Sequence, residues 1–278
     1  MQNRTSKTKP AQGGVRAKED RHFVTALARG LQVLSAFRSR DRMLGNQELA
    51  RRCGLPKSTI SRLTYTLTRE GYLEPATDGQ GASGYRLGSA VLALGGAMLA
   101  HMDVRTLARP LMQDLADSTQ AMVSLGVRDR LSMIYVENCR SESALTLSLD
   151  VGSRLPLGNS AMGRAYLAAC SPVERDDLFE RLRQQEERAW PRLRRGIEQA
   201  AADYLEHGCC TSFGEWQKEV NAIAVPLRLE GGPLMVVSCG GPGVNLSPAF
   251  LMDKARPRLL TLVRKLQATG GVYGGPVR

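Results

Sequence analysis

The residues best equipped for chemistry lie between Lys57 and Tyr65, where Lys57, Ser58, Thr59, Ser61, Arg62 and Tyr65 place two long cations, three short hydroxyls and a phenol within nine positions. Ser58, Ser61, Arg62 and Tyr65 follow at i, i+3, i+4 and i+7, one face of a helix, while Ile60, Leu63 and Leu67 form an apolar stripe on the other. Short hydroxyls permit close approach to a duplex, and long cations reach phosphates or guanine edges. A second group, Ser160-Ala161-Met162-Gly163-Arg164, opens a helix with small residues and free backbone N–H groups, which suits an anion. Gly163 and Ala165 would serve equally as small residues where a helix packs on a sheet. Ser238-Cys239-Gly240-Gly241 ends a strand with another small, polar opening. Trp216, between Glu215 and Gln217, precedes the Ala222 strand, where an aromatic either closes over a ligand, stays exposed or meets a second copy. Arg140 and Arg154 offer partners for a carboxylate, against the default of surface arginines.

Catalytic patterns are missing. Gly158-Asn159-Ser160-Ala161-Met162-Gly163 has one residue too many for a G-x-S-x-G nucleophile turn, the histidines are His22, His101 and His207 alone, and Gly240-Gly241-Pro242-Gly243 lacks the spacing of a phosphate or dinucleotide loop. The six cysteines (Cys53, Cys139, Cys170, Cys209, Cys210, Cys239) form no CxxC pair. His207-Gly208-Cys209-Cys210 comes nearest to a metal cluster, but adjacent cysteines rarely chelate one ion, so reduced thiols, no metal and no cofactor are expected.

The elements that must position the first group can be read around it. Leu49, Ala50 and Cys53 share one face of a short helix; Gly54 ends it in the left-handed conformation, Leu55 packs back, and Pro56 fits the first turn of the next helix. Two helices joined by a tight glycine turn make a helix-turn-helix, whose second helix enters the major groove, although such a corner is also built for structure alone. Gly71-Tyr72-Leu73 and Gly84-Tyr85-Arg86-Leu87 flank Asp78-Gly79 and Gly81 as strand, turn and strand, a wing that would bring Arg86 and the turn 78–83 to the DNA backbone or minor groove. Leu27, Leu31, Leu34 and Phe37 mark an amphipathic first helix from Phe23.

Charge distribution agrees with this placement. The 278 residues, 42% hydrophobic and 23% charged, allow two soluble domains and carry a net charge of +11. Residues 1–88 hold 16 Lys and Arg against 7 Asp and Glu, a net +9; the rest holds 22 against 20, a net +2. A basic nucleic-acid module joined to a near-neutral one follows, the alternative being a solvated basic tail. The Arg181–Arg195 stretch, interleaved with Glu180, Glu186 and Glu187, reads as a solvated helical face. The longest apolar run, Ala90–Ala100, is too short to span a bilayer, and no secretory segment opens the chain, so a cytoplasmic protein with no membrane partner is expected.

The expected organisation is therefore a disordered basic arm (1–20), a winged helix-turn-helix (21–88), a linker helix (89–102) that packs on another helix or a second copy, an α/β domain (103–268) and a frayed tail (269–278). Within the α/β domain, helices are expected over Leu107–Ser118, Ser160–Cys170, Pro172–Arg183, Pro191–His207 and Pro248 to about Gln267. Strands are expected over Ala121–Val127, Leu131–Val136, Leu145–Leu149, Ala222–Leu227 and Leu234–Ser238, in one mixed or antiparallel sheet.

The stretches "ALARGLQVLSAF", "ELARRCGLPKSTISRL", "REGYLE" and "GYRLGSAVLALG", followed by "GSRLPLGNSAMGRAYLAA", "HGCCTSF", "NAIAVPLR" and "MVVSCGGPG", resemble in that order the IclR-type bacterial transcriptional regulators. The resemblance covers residues 22–268. It implies a GAF-like α/β effector-binding domain, a homodimer or dimer of dimers, and control of a catabolic operon by a small, usually anionic, metabolite. It places ligand contacts at Ala161, Met162, Ala222, Ser238 and Gly240, with Ala222 standing where some members have a polar or thiol group and Gly240 replacing a hydroxyl. The expected function is a ligand-responsive, non-enzymatic regulator that binds palindromic operator DNA and senses a carboxylate or aromatic acid, meeting RNA polymerase if it activates. The alternative is a small-molecule-binding or hydrolytic α/β protein with a nonspecific basic tether.

Overall fold

The computed structural model describes residues 22–38, 41–141 and 148–273. The basic arm, most of the Leu145–Leu149 run and the tail beyond Tyr273 lie outside the described residues. The chain divides into two compact units, up to Gly96 and from Ala97.

In the first unit, α1 (Thr25–Ser35), α2 (Asn46–Cys53) and α3 (Lys57–Arg69) precede a hairpin of β1 (Leu73–Thr77) and β2 (Ser83–Leu87). Gly54 at φ +63° ends α2, as its position predicts. Pro56 stands one place earlier than expected, at φ −57° and ψ 144° before the first turn of α3, so the helix begins at Lys57. Val33, Leu44, Leu49, Cys53, Ile60 and Leu73 close the core, with Leu34, Phe37, Leu63 and Leu67 half-buried around it. Thr64 is also buried, its hydroxyl turned back to Ile60 O at 3.0 Å. The expected stripe divides: Leu34 and, just past the helix end, Phe37 pack half-buried on the core beside the buried Val33, while Leu27 and Leu31 are 62% and 55% exposed. This helix is apolar on two sides, and one chain covers only one of them. Helix α4 (Ser89–Ala100) stops two residues short of Met102 and has no buried residue, leaving Leu92, Leu94 and Met98 exposed.

In the second unit, α5 (Asp103–Thr119) leads into β3 (Met122–Asp129) and β4 (Ser132–Arg140), then β5 (Arg154–Pro156), α6 (Ala161–Ala169), α7 (Pro172–Gln185) and α8 (Trp190–His207). β6 (Cys210–Phe213), β7 (Val220–Leu227) and β8 (Met235–Pro242) complete a six-stranded sheet in the order β5-β4-β3-β8-β7-β6, antiparallel throughout. The chain ends in a helical turn α9 (Pro248–Phe250), a π-helical turn Leu251–Ala255 and α10 (Arg256–Tyr273). The wide turn precedes Pro257, which has no N–H to donate. α10 continues past Gln267, so residues 270–273, expected to fray, are helical.

Alternation along the strands sorts the two cores. Val123, Leu125, Ile223, Val225, Val237 and Cys239 face α5 and α10, whereas Met122, Ala224 and Val236 face α6 and α8. In β4 the register slips between Leu125/Gly126 and their partners Glu137 and Tyr135, leaving Val136 as a bulge. The bulge keeps Tyr135 on the α6 side, puts Val136 in the other core and lets Glu137, nearly buried, reach Arg105 and Arg109 of α5 at 3.1 and 2.8 Å. The adjacent thiols of Cys209 and Cys210 lie in opposite cores, so alternation alone prevents their sharing a metal ion. Burial pushes the Cys209 thiol up to about 11 and that of Cys210 further, keeping both neutral.

Candidate functional site

Two sites can be built from these elements. On α3, Lys57, Ser58, Ser61, Arg62 and Tyr65 are exposed and Thr59 is half-buried. Ser61 is braced, donating to Lys57 O at 3.0 Å and accepting from Asn46 Nδ2 at 3.3 Å, which ties the start of α2 to the middle of α3. Thr59 and Arg62 turn toward a groove shared with Leu27 and Leu31 of α1. Among the described residues Lys57, Arg62 and Arg69 have no acidic partner, whereas Arg51 and Arg52 are held by Glu48 and Asp41. Three such cations therefore stand on α3, besides Arg29 of α1 and Arg42. Arg86, two strands away, is paired with Glu74 at 2.9 Å across the wing. At the wing tip the Asp78 carboxylate accepts from the N–H groups of Gln80 and Ala82, and Gly81 takes φ +88°.

The second site is a cavity in the other unit. Ala161, Met162, Trp216, Ala222, Ser238 and Gly240, six residues singled out in the sequence from three separate stretches, line it together. Strand alternation explains the convergence: Ala222, Ser238 and Gly240 project from neighbouring strands on the α6 side, with Ala222 and Gly240 paired in register. A Cβ at Gly240 would lie 2.6 Å from both Ala222 Cβ and Asn221 O, so these two positions are small as a pair. Ser160 caps α6, accepting from Gly163 N at 3.0 Å and donating to Pro156 O at 2.6 Å. Ala161 and Met162, whose first-turn N–H groups have no intrahelical acceptors, both line the cavity. Gly163 itself is a packing residue, since a Cβ there would meet Leu157 O at 2.2 Å.

The sequence reading missed Tyr135, Ser212 and Met122, which also line the cavity. Burial pushes the Tyr135 phenol up to about 12, and hydrogen bonds with Ser124 and Ser238 oppose the shift, so the cavity presents a neutral hydroxyl at working pH. Ser124 donates to Asn138 Oδ1 at 2.9 Å, and Asn138 Nδ2 to Leu149 O at 2.9 Å. Among the described residues no charged side chain lines the cavity. Arg140 pairs with Asp150 and Arg154 with Asp129, and neither lines the cavity. On the outer helices Arg181, Arg183 and Arg194 pair with Asp177, Glu180 and Glu198 one turn away, as a solvated face should. Among the described residues there is no cluster of three His, Cys, Asp or Glu able to hold a metal ion, and no single helix long and apolar enough to cross a membrane.

Comparison with known proteins agrees with both units. Residues 26–76 match the IclR helix-turn-helix domain, and residues 96–267 match the bacterial transcriptional regulator IclR C-terminal domain. The chain is 33% identical over 249 residues to the HTH-type transcriptional regulator TsaQ1/TsaQ2 of Comamonas testosteroni, covering 88% of each chain. It superposes with a TM-score of 0.80 and 44% identity on an IclR family transcriptional regulator from Brucella abortus, covering 93% of this chain and 96% of that one. An IclR homologue from Microbacterium hydrocarbonoxydans, solved as a complex with 4-hydroxybenzoate, matches with a TM-score of 0.61 and 26% identity over 86% of this chain and 99% of that one. The matches to both units, a helix-turn-helix and an α/β unit with a small cavity, make this chain a member of the IclR family, a ligand-responsive DNA-binding transcriptional regulator and not an enzyme.

Proposed function

We propose that the protein binds a palindromic operator as a homodimer or dimer of dimers and that a small monocarboxylate with an apolar or aromatic body, seated in the cavity, alters that binding. On this reading α3 lies in the major groove with Lys57, Ser58, Thr59, Ser61, Arg62 and Tyr65 toward the DNA, Ser61 held in place by Asn46, and Arg86 at the flanking backbone. The assignment of the domain limits as arm, winged module, linker helix and effector domain belongs to the same reading, as do a cytoplasmic site of action and a contact with RNA polymerase if the protein activates.

The observation that carries the ligand half is the convergence of six residues on one cavity with hydroxyls, a helix N-terminus and, among the described residues, no charged side chain. The α6 N-terminus can neutralise one carboxylate, and nothing in the lining would match a second. Met122, Leu155 and Trp216 supply apolar surface for a ring. The neighbour complexed with 4-hydroxybenzoate supports an aromatic acid. Dimerisation is supported by the exposed Leu27 and Leu31 of α1 and by Leu92 and Leu94 of α4, because an exposed apolar helix face needs a covering.

Thermal unfolding in the presence of 4-hydroxybenzoate, benzoate, short-chain monoacids and the diacid succinate tests the reading. A ligand at a hundredfold its Kd stabilises the folded protein by about 2.7 kcal/mol. Stabilisation by monoacids and not by succinate supports it; stabilisation by succinate alone contradicts it.

A further inference from the structure

The cavity encloses about 20 Å³, little more than one water molecule needs, so an acid of six or more heavy atoms enters only if a wall moves. Among the described residues, strands and helix α6 supply the lining except for the cap residue Ser160 and Trp216, which stands on the loop between β6 and β7. That loop is a tight turn: Gly214 takes φ +66° and donates to Val220 O at 2.9 Å, and Val220 donates to Gln217 O at 3.0 Å. One residue before Trp216, both carboxylate oxygens of Glu215 are gripped by Arg164, Nη1 to Oε1 at 2.5 Å and Nη2 to Oε2 at 2.6 Å. The Arg164 side chain is 3% exposed and also donates to Thr211 O at 3.0 Å. Gly196 of α8 leaves it room, for a Cβ there would lie 2.3 Å from Nη2.

A buried guanidinium is costly to desolvate, and an apolar side chain of similar size would hold the same helices together as well or better. What an apolar residue cannot do is fix a carboxylate in a two-pronged, directional grip. Arg164 lies on α6 one turn beyond Ala161, the first residue of the helix and part of the cavity lining, so the grip ties the loop to the helix whose N-terminus borders the cavity.

We propose that Arg164 and Glu215 are positioning residues of the effector site: their bidentate pair holds the Trp216 loop shut over the cavity, and release of Glu215, the exposed end of the pair, is the movement that admits ligand. Neither residue touches the ligand. Arg164 keeps its bond to Thr211 O when Glu215 lets go, so α6 stays in place while the loop pivots near Gly214. The inference rests on reading the cavity as the effector site.

The test uses the full chain with Trp190→Phe, which leaves Trp216 as the only indole; Trp190 packs edge-on to Phe179 at 5.6 Å, so phenylalanine keeps an aromatic there. Acrylamide quenching of Trp216 is compared in this background with and without Glu215→Ala, no ligand being present. Loss of the pair is expected to raise the open-loop population roughly tenfold, equivalent to about 1.4 kcal/mol, with stronger quenching and a red-shifted emission while the protein remains folded. Arg164→Lys, which keeps the charge and loses the fork, should move the quenching the same way, and Glu215→Asp should restore part of the protection. In stopped flow with 4-hydroxybenzoate, Glu215→Ala should speed both association and dissociation. Unchanged quenching in a folded Glu215→Ala protein overturns the latch whatever binds, since a purely structural pair would lower the melting temperature alone. Stronger quenching with no acid bound by any variant keeps the loop-holding role and removes the effector reading.

Discussion

Glu74 and Arg86 face each other across the wing, carboxylate to guanidinium at 2.9 Å, in register on β1 and β2. The wing arginine is therefore already occupied in the protein without DNA, and binding must exchange one anion for another. Exposed pairs of this kind are worth little, so the exchange is nearly free, but Glu74 itself remains as a negative charge near the phosphates. Glu74→Gln should tighten binding to a random-sequence duplex severalfold at low salt and steepen the salt dependence by about one phosphate contact, a slope change near 0.9. Fluorescence anisotropy at several salt concentrations measures both; an unchanged slope would place Arg86 away from the DNA.

Two glycines of the second unit should fail in different ways. At Gly163 an added Cβ strikes the backbone oxygen of Leu157 at 2.2 Å, which cannot move aside, and Gly163→Ala should destabilise by about 3 kcal/mol. At Gly126 the obstacle is Met162 Sδ at 2.3 Å, the flexible end of a side chain that lines the cavity. Gly126→Ala should therefore cost about 1 kcal/mol or less in chemical denaturation and yet weaken effector binding strongly, because Met162 is driven into the cavity. Equal losses of stability in the two variants would contradict the packing described.

Acid should loosen the first unit through two carboxylates. The Arg52 guanidinium beside Asp41 holds its carboxyl below the usual range, and Arg51, then Arg52, hold Glu48 at about 2. Because the folded pKa values are depressed, the stabilisation is complete above the unfolded values, about 3.9 and 4.3, and is lost as pH falls through the folded ones. The stability gap between the wild type and an Asp41→Asn, Glu48→Gln variant should stay constant from pH 7 to about 5 and shrink toward pH 2. Urea titrations at half-unit pH steps read it; a gap that widens on acidification contradicts the assignment.

Leu31→Glu tests the uncovered face of α1. The side chain is 55% exposed in the single chain, so the monomer fold should tolerate the change, while a two-fold contact would bury two carboxylates. Sedimentation velocity should show a shift to monomer and anisotropy a loss of operator binding. A dimer as stable as wild type would move the contact to another surface.

The features legible in the sequence were those set by local chemistry. Gly54 and Pro56 punctuate α2 and α3 because one accepts a positive φ and the other cannot continue a helix, and Ser238 and Gly240 share a face because strands alternate. The missed features depend on distant partners. Tyr135 cannot be placed by counting along β4, since the Val136 bulge resets the alternation, and Arg164 meets Glu215 from 51 positions away. β5 and β6, of three and four residues, are too short to show a period, and the outward turn of Leu27 and Leu31 makes sense only beside another surface.

The central claim is that α3 reads DNA sequence while the cavity governs it. The most direct test is the affinity of wild type and Arg62→Ala for an operator selected by the protein from a random duplex pool, at one fixed moderate salt concentration. Arg62 is exposed and without an acidic partner among the described residues, so its removal should leave the fold intact. The account predicts a loss of about 1–3 kcal/mol on the selected operator and a much smaller loss on random duplex; equal affinity of the two proteins for the operator would contradict it.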